Sequence, residues 1–124
     1  MNTLKTKLKI LIVDDNKKLC KNLSDILEFK GYETVAVYDG YQAIEAVKNN
    51  KFNAILMDVK MPGINGIDTL KVLKQIVPHT LVIMITAFAD DIFYKEGLNN
   101  GEFEIIQKPI DINKLLGMLK NTHC

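Results

Sequence analysis

Five short, mostly apolar runs divide the chain, and between them the apolar positions change spacing. The runs are 9–13 (KILIV), 34–37 (TVAV), 54–57 (AILM), 81–85 (LVIMI) and 103–106 (FEII). Runs of about four to eight apolar residues bounded by turn signals read as strands buried on both faces, the pattern of a parallel sheet. After the first run, Leu19, Leu23, Ile26 and Leu27 fall at i, i+4, i+7 and i+8, one stripe of a helix, and Gly31 closes it. Ala43, Ile44 and Val47 mark a second helix that ends near Asn49 and Asn50. Ile67, Leu70, Leu73 and Val77 mark a third, stopped before Pro78. A weaker helix spans roughly residues 91–98 and is terminated by Asn99, Asn100 and Gly101. Ile112, Leu115, Leu116 and Leu119 pattern the last one.

Strands alternating with helices through short loops predict an α/β domain: a doubly wound, five-stranded parallel sheet with right-handed crossovers and helices on both faces. The first, third and fourth runs are the most hydrophobic and belong at the centre, while the short run at 34–37 belongs at an edge. That favours the flavodoxin-like (βα)5 order 2-1-3-4-5, with its ligand crevice between strands one and three. No repeat, low-complexity tract or linker interrupts the 124 residues. The chain is expected to be one domain over 1–124, with its core at about 8–120.

Composition removes several function classes. Hydrophobic content of 48% with 25% charged residues is ordinary for a globular domain. Sixteen basic and fifteen acidic residues leave a net charge of +1, without the basic excess of a nucleic-acid binder. Trp is absent, which disfavours base-stacking platforms as well. Cys20 and Cys124 form no motif and are expected to be free thiols. No apolar run approaches the roughly 18–20 residues of a membrane span. The run after the basic N-terminus is too short for a signal peptide and ends in two acids. A cytoplasmic protein with no membrane contact and no direct nucleic-acid binding is expected.

Polar groups gather where the strands end. The first run stops at Asp14 and Asp15, the third at Asp58, the fourth at Thr86 and the fifth shortly before Lys108. Parallel strands place all of them on one rim, where open α/β sheets hold their ligands. Asp58 on its own could simply cap its strand or turn the chain. Two like charges about 4 Å apart repel by roughly 4 kcal/mol at an effective dielectric of about 20, so three clustered carboxylates call for a cation or a proton. A small hard ion such as Mg²⁺ suits such oxygens. With the acids neutralised, Lys108 supplies a point charge and Thr86 a hydroxyl for a phosphoryl group. A carboxylate such as Asp58 is then a plausible nucleophile, since aspartyl phosphates are established intermediates.

The set Asp14-Asp15, Asp58-Val-Lys-Met-Pro62-Gly63, Thr86-Ala87 and Lys108-Pro109 resembles the receiver domain of bacterial two-component response regulators, over residues from about 8 to 120. The resemblance implies that Asp58 accepts a phosphoryl group from a sensor histidine kinase or histidine phosphotransfer protein. It implies Mg²⁺ on Asp15, Asp58 and the carbonyl of Lys60, with Asp14 supporting the site through the ion's waters. Thr86 and Lys108 would contact phosphoryl oxygens, and the Lys108-Pro109 bond would be cis. The chain would then be a phosphorylation switch that catalyses only its own phosphorylation and slow dephosphorylation. It would stand alone in a phosphorelay or form one domain of a longer regulator with an output module.

Four positions depart from the family's usual residues or vary within it. Ile105 stands where an aromatic ring usually lies three residues before the lysine, and Glu102 stands in place of Ala. Lys60 and Phe88 occupy variable positions that tune the lifetime of the phosphoryl group. Three other readings fit less well. A haloacid-dehalogenase-type phosphatase wants a second Asp two residues after the nucleophile, where this chain has Lys60. A flavodoxin wants a phosphate-binding loop after strand one, where Asp14 and Asp15 would repel phosphate. A receiver-like module that only binds partners would not need the intact acid set. His79 and His123 lack metal-ligand spacing, and Lys17 and Lys18 read as a solvated helix face.

Overall fold

A computed structural model describes residues 7–61, 63–87 and 103–120. Its elements are β1 (Lys9–Val13), α1 (Lys17–Phe29), β2 (Glu33–Val37), α2 (Gly40–Asn49), β3 (Ala54–Asp58), α3 (Gly66–Ile76), β4 (Leu81–Thr86), β5 (Glu104–Gln107) and α4 (Ile112–Lys120). The five strands form one sheet in the order β2-β1-β3-β4-β5, every pair parallel, as expected. The helix expected over 91–98 lies outside the described residues, as do Pro62, Phe88, Glu102, His123 and Cys124.

Side chains alternate across the sheet, so two cores form from one set of strands. Leu11, Val13, Ile55, Met57, Val82 and Met84 face α2 and α3, meeting Ala43, Val47, Ile67, Leu70 and Leu73. Ile10, Ile12, Ala54, Leu56, Ile83 and Ile85 face α1 and α4, meeting Cys20, Leu23, Leu27, Leu115 and Leu119. This double burial is why β1, β3 and β4 read as continuous apolar runs. The two edge strands are only partly covered.

Helix boundaries follow local chemistry. Asn16, Asp39, Asn65 and Asp111 each offer a side-chain oxygen to the backbone N–H three residues on, at 3.0, 2.8, 2.9 and 3.2 Å, satisfying a donor that the first helical turn leaves unpaired. α1 ends as its glycine predicts. Gly31 takes φ +99°, its N–H donates to the Glu28 carbonyl, and the Tyr32 N–H reaches back to Leu27, both at 3.0 Å.

Register carries the strand ends to one rim. Val13 lies beside Val37 and Met57, Asp58 beside Ile85, and Thr86 beside Gln107. The ladder continues past the strands, with Val59 N–H donating to Ile85 at 3.1 Å and Lys108 N–H to Thr86 at 2.8 Å. Positions 14, 58, 86 and 108 therefore emerge side by side.

Candidate functional site

Asp14, Asp15 and Asp58 converge on that rim, each offering a carboxylate oxygen within 4.8 Å of the others. Asp14 is nearly buried at 2% exposure and Asp58 at 8%, whereas Asp15 is exposed. Lys108 reaches across from the end of β5, its Nζ lying 3.6 Å from Asp58 Oδ1 and 4.0 Å from Asp14 Oδ2. Four of the residues singled out in the sequence are thus brought together.

The two buried acids differ in their partners. Asp14 Oδ1 accepts the Asn16 N–H at 2.9 Å. Its Oδ2 is buried and has no hydrogen-bond partner. Asp58 accepts the backbone N–H of Lys60 and a hydrogen bond from Lys108. Burial pushes the Asp14 carboxyl above its ordinary range; the charges of Asp58 and Asp15 push the same way, against the Asn16 N–H and Lys108. Burial likewise raises Asp58, opposed by Lys108 and the Lys60 N–H. Each shift reports a buried negative charge that one lysine does not fully compensate.

The same deficit tests the site for a metal. Three carboxylates in mutual reach, one with an unpartnered buried oxygen, form the oxygen-rich set that hard divalent cations prefer. The residues present fit Mg²⁺.

Thr86 ends β4 on the same rim and is 3% exposed. The Lys108–Pro109 peptide is cis. Lys60 contributes its backbone N–H to Asp58 and is itself an exposed residue. Ile105 sits in β5 beside Met84, half-buried against the α2–α3 core. Two neighbours take part in the site, and the role of Asn16 escaped the sequence reading. Asn16 both caps α1 and donates to Asp14, a role its place two residues after an acid and at a helix start could have suggested. Cys20 donates its Sγ–H to the Asp14 carbonyl at 3.3 Å, and burial pushes its thiol up to about 11. It is packing, and inert.

A parallel sheet in this order thus carries an acid trio, a hydroxyl and a lysine together at its carboxyl rim. The family model of the response regulator receiver domain matches residues 10–120, and the chain belongs to that family. Among curated relatives, the transcriptional regulatory protein CpxR of Escherichia coli K12 is 37% identical over 112 residues, covering 90% of this chain and 47% of CpxR. The DNA-binding response regulator MtrA of Mycolicibacterium paratuberculosis is 34% identical over 114 residues, with 90% and 49% covered. The chain thus spans about half the length of these relatives. Among solved structures, a CheY-like receiver domain protein from Methanospirillum hungatei superposes with a TM-score of 0.86 at 31% identity, covering 94% of this chain and 93% of that one. The receiver domain of the sensor histidine kinase PA1611 from Pseudomonas aeruginosa, which holds a magnesium ion in its active-site cleft, gives 0.84 at 25% identity, covering 94% and 97%.

Proposed function

We propose that Asp58 accepts a phosphoryl group from a sensor histidine kinase or a histidine phosphotransfer protein, and that the modified domain then changes its binding to an output domain or partner. The observation that carries this reading is the placement of Asp58: nearly buried at the end of β3, paired to Lys108 at 3.6 Å, and within 4.8 Å of the two acids of β1's end. An Asp58 oxygen attacks the phosphorus of the donor, forming an O–P bond as the P–N bond to the donor imidazole breaks. The imidazole departs with its electron pair and takes up a proton. Lys108 follows the charge, leaving the carboxylate for the phosphoryl oxygens, and Thr86 offers its hydroxyl to the same group. Asp14, Asp15, Asp58 and the Lys60 carbonyl would hold Mg²⁺, which when bound supplies positive charge to the carboxylates and to the incoming phosphoryl oxygens. Restraint of Asp58 by the Lys60 N–H keeps one oxygen aimed at the donor.

On this reading the chain is a switch acting in the cytoplasm as a single receiver unit over 1–124, and its only chemistry is its own phosphorylation and slow hydrolysis. Among the described residues no helix is long and apolar enough to cross a membrane. Acetyl phosphate with Mg²⁺ tests the assignment by intact mass. The parent chain gains about 80 Da, the mass of one phosphoryl group. Asp58→Asn gains nothing. Equal labelling of the parent and Asp58→Asn places the acceptor elsewhere.

A further inference from the structure

We infer that the rim opposite Asp58 carries a docking groove for an acidic amphipathic helix of a partner protein, seated between the ends of α2 and α3. The groove shares no residue with the acid cluster and owes nothing to the phosphoryl transfer proposed above.

The groove lies where strands enter the sheet. Phe52 comes just ahead of β3 and Thr80 just ahead of β4, and α2 and α3 finish beside them at Asn49 and Ile76. The open space between them is about 870 Å³, room for several side chains of a guest. Its floor is apolar. Val47 and Phe52 are buried members of the α2–α3 core, and Ile76 and Val77 pack half-buried against the same cluster. A guest side chain set there would extend the core rather than cover an isolated surface residue.

The rim is basic. Lys48, Lys51 and His79 line the groove, and no acid among the described residues does. None of the three forms an ion pair with a described residue. The helix termini do not account for the two lysines. Asn49 Nδ2 donates to the Glu45 carbonyl at 2.9 Å and Asn50 Nδ2 to the Ala46 carbonyl at 3.3 Å, so side-chain amides already serve the last turn of α2. Lys51 lies beyond that helix altogether. On the other wall, Lys74 Nζ donates to the Thr80 carbonyl at 2.9 Å and the Pro78 carbonyl at 3.5 Å, tying down the loop after α3. Lys9 places its ammonium 5.4 Å from the centroid of the Phe52 ring, which steadies the floor. The groove is therefore preformed, with two ammonium groups beside an apolar floor and no counter-charge of its own. Carboxylates on a partner supply that charge.

The form of the partner follows from the backbone. β3 and β4 are paired on both sides, so no sheet edge opens here for an extended peptide to join. A partner must satisfy its own backbone hydrogen bonds, as a helix does. Apolar side chains one turn apart then meet the floor, and Asp or Glu beside them meets Lys48 and Lys51.

The probe is a synthetic helix of about 14 residues, close to four turns, with Leu on one face and Glu on its flanks. It is titrated into the isotope-labelled chain and followed by NMR, beside a second peptide with Lys in place of every Glu. Amide shifts are expected to move and saturate at residues 47–52 and 76–80, with those of residues 14, 15 and 58 unmoved. Lys48→Glu combined with Lys51→Glu alters exposed side chains only, and an amide spectrum matching the parent's away from the groove verifies the fold. The double variant is expected to bind the Glu peptide about fivefold or more weakly than the parent does. It is expected to bind the Lys peptide better than the parent does. No saturating shift at those residues up to about 1 mM peptide, equal binding of the two peptides, or unchanged binding by the double variant overturns the inference. Shifts there that grow with the chain's own concentration, without peptide, make the groove a contact between copies of the chain and overturn it as well.

Discussion

A buried carboxylate is costly unless its charge is met, and Asp14 is met by half: one oxygen is bonded to Asn16 and the other has no hydrogen-bond partner. Burial raises its folded pKa above the ordinary 3.8. The folded state therefore holds the Asp14 proton more tightly than the unfolded state does. As pH rises through the interval between 3.8 and the raised folded value, the folded state loses stability relative to the unfolded one. Lowering the pH through the same interval restores it. Asp14→Asn keeps an oxygen for the Asn16 N–H and removes the charge. Without divalent cation it should gain on the order of 1 kcal/mol at neutral pH, a few degrees of Tm. The gain should shrink as the pH falls through that interval, because the parent's own Asp14 is then protonated. Thermal melts of both proteins between neutral pH and about 4 check the sign, and a gain that grows on acidification defeats it.

At the scale of elements, two glycines that look alike in the sequence have opposite meanings. Gly66 reads as loop punctuation after Gly63, but it is the first residue of α3. A Cβ there would lie 2.6 Å from the Asp58 carbonyl and 2.7 Å from Val59 Cα. Those atoms are backbone and have little room to yield, so α3 can start against the end of β3 only because residue 66 has no side chain. Gly117 lies inside α4 with nothing within 4 Å of an added Cβ. Gly66→Ala should therefore cost about 1–3 kcal/mol through overpacking and displace Asp58. Gly117→Ala should add about 0.5–1 kcal/mol by restricting the unfolded chain. Urea unfolding measures both. A Gly66→Ala protein as stable as the parent, still labelled at the parent's rate by acetyl phosphate, means that the close approach is not needed.

Across the whole molecule, what could be read from the sequence is what the sheet imposes on its own strands. Ile10 to Val13, Ile55 to Met57 and Val82 to Ile85 must be apolar because both faces are covered, and the same parallel arrangement brings Asp14, Asp58, Thr86 and Lys108 to one rim. The sequence does not display the cramped start of α3, because it depends on the approach of elements that no local pattern links. Nor does it show which oxygen of Asp14 goes unpartnered. The acid cluster itself sets up a whole-molecule prediction. Only folding gathers residues 14, 15 and 58, so a cation that binds the cluster stabilises the folded state by mass action, about 2.7 kcal/mol at a hundredfold excess over its Kd. Mg²⁺ should raise the Tm in a dose-dependent manner. Asp15→Asn should relieve repulsion, raising the Tm in chelator, while reducing the increment that Mg²⁺ produces. The two effects oppose each other, so an unrelated change in stability does not imitate them. Coincident melts of the parent in Mg²⁺ and in chelator, across millimolar concentrations, remove the proposed metal site.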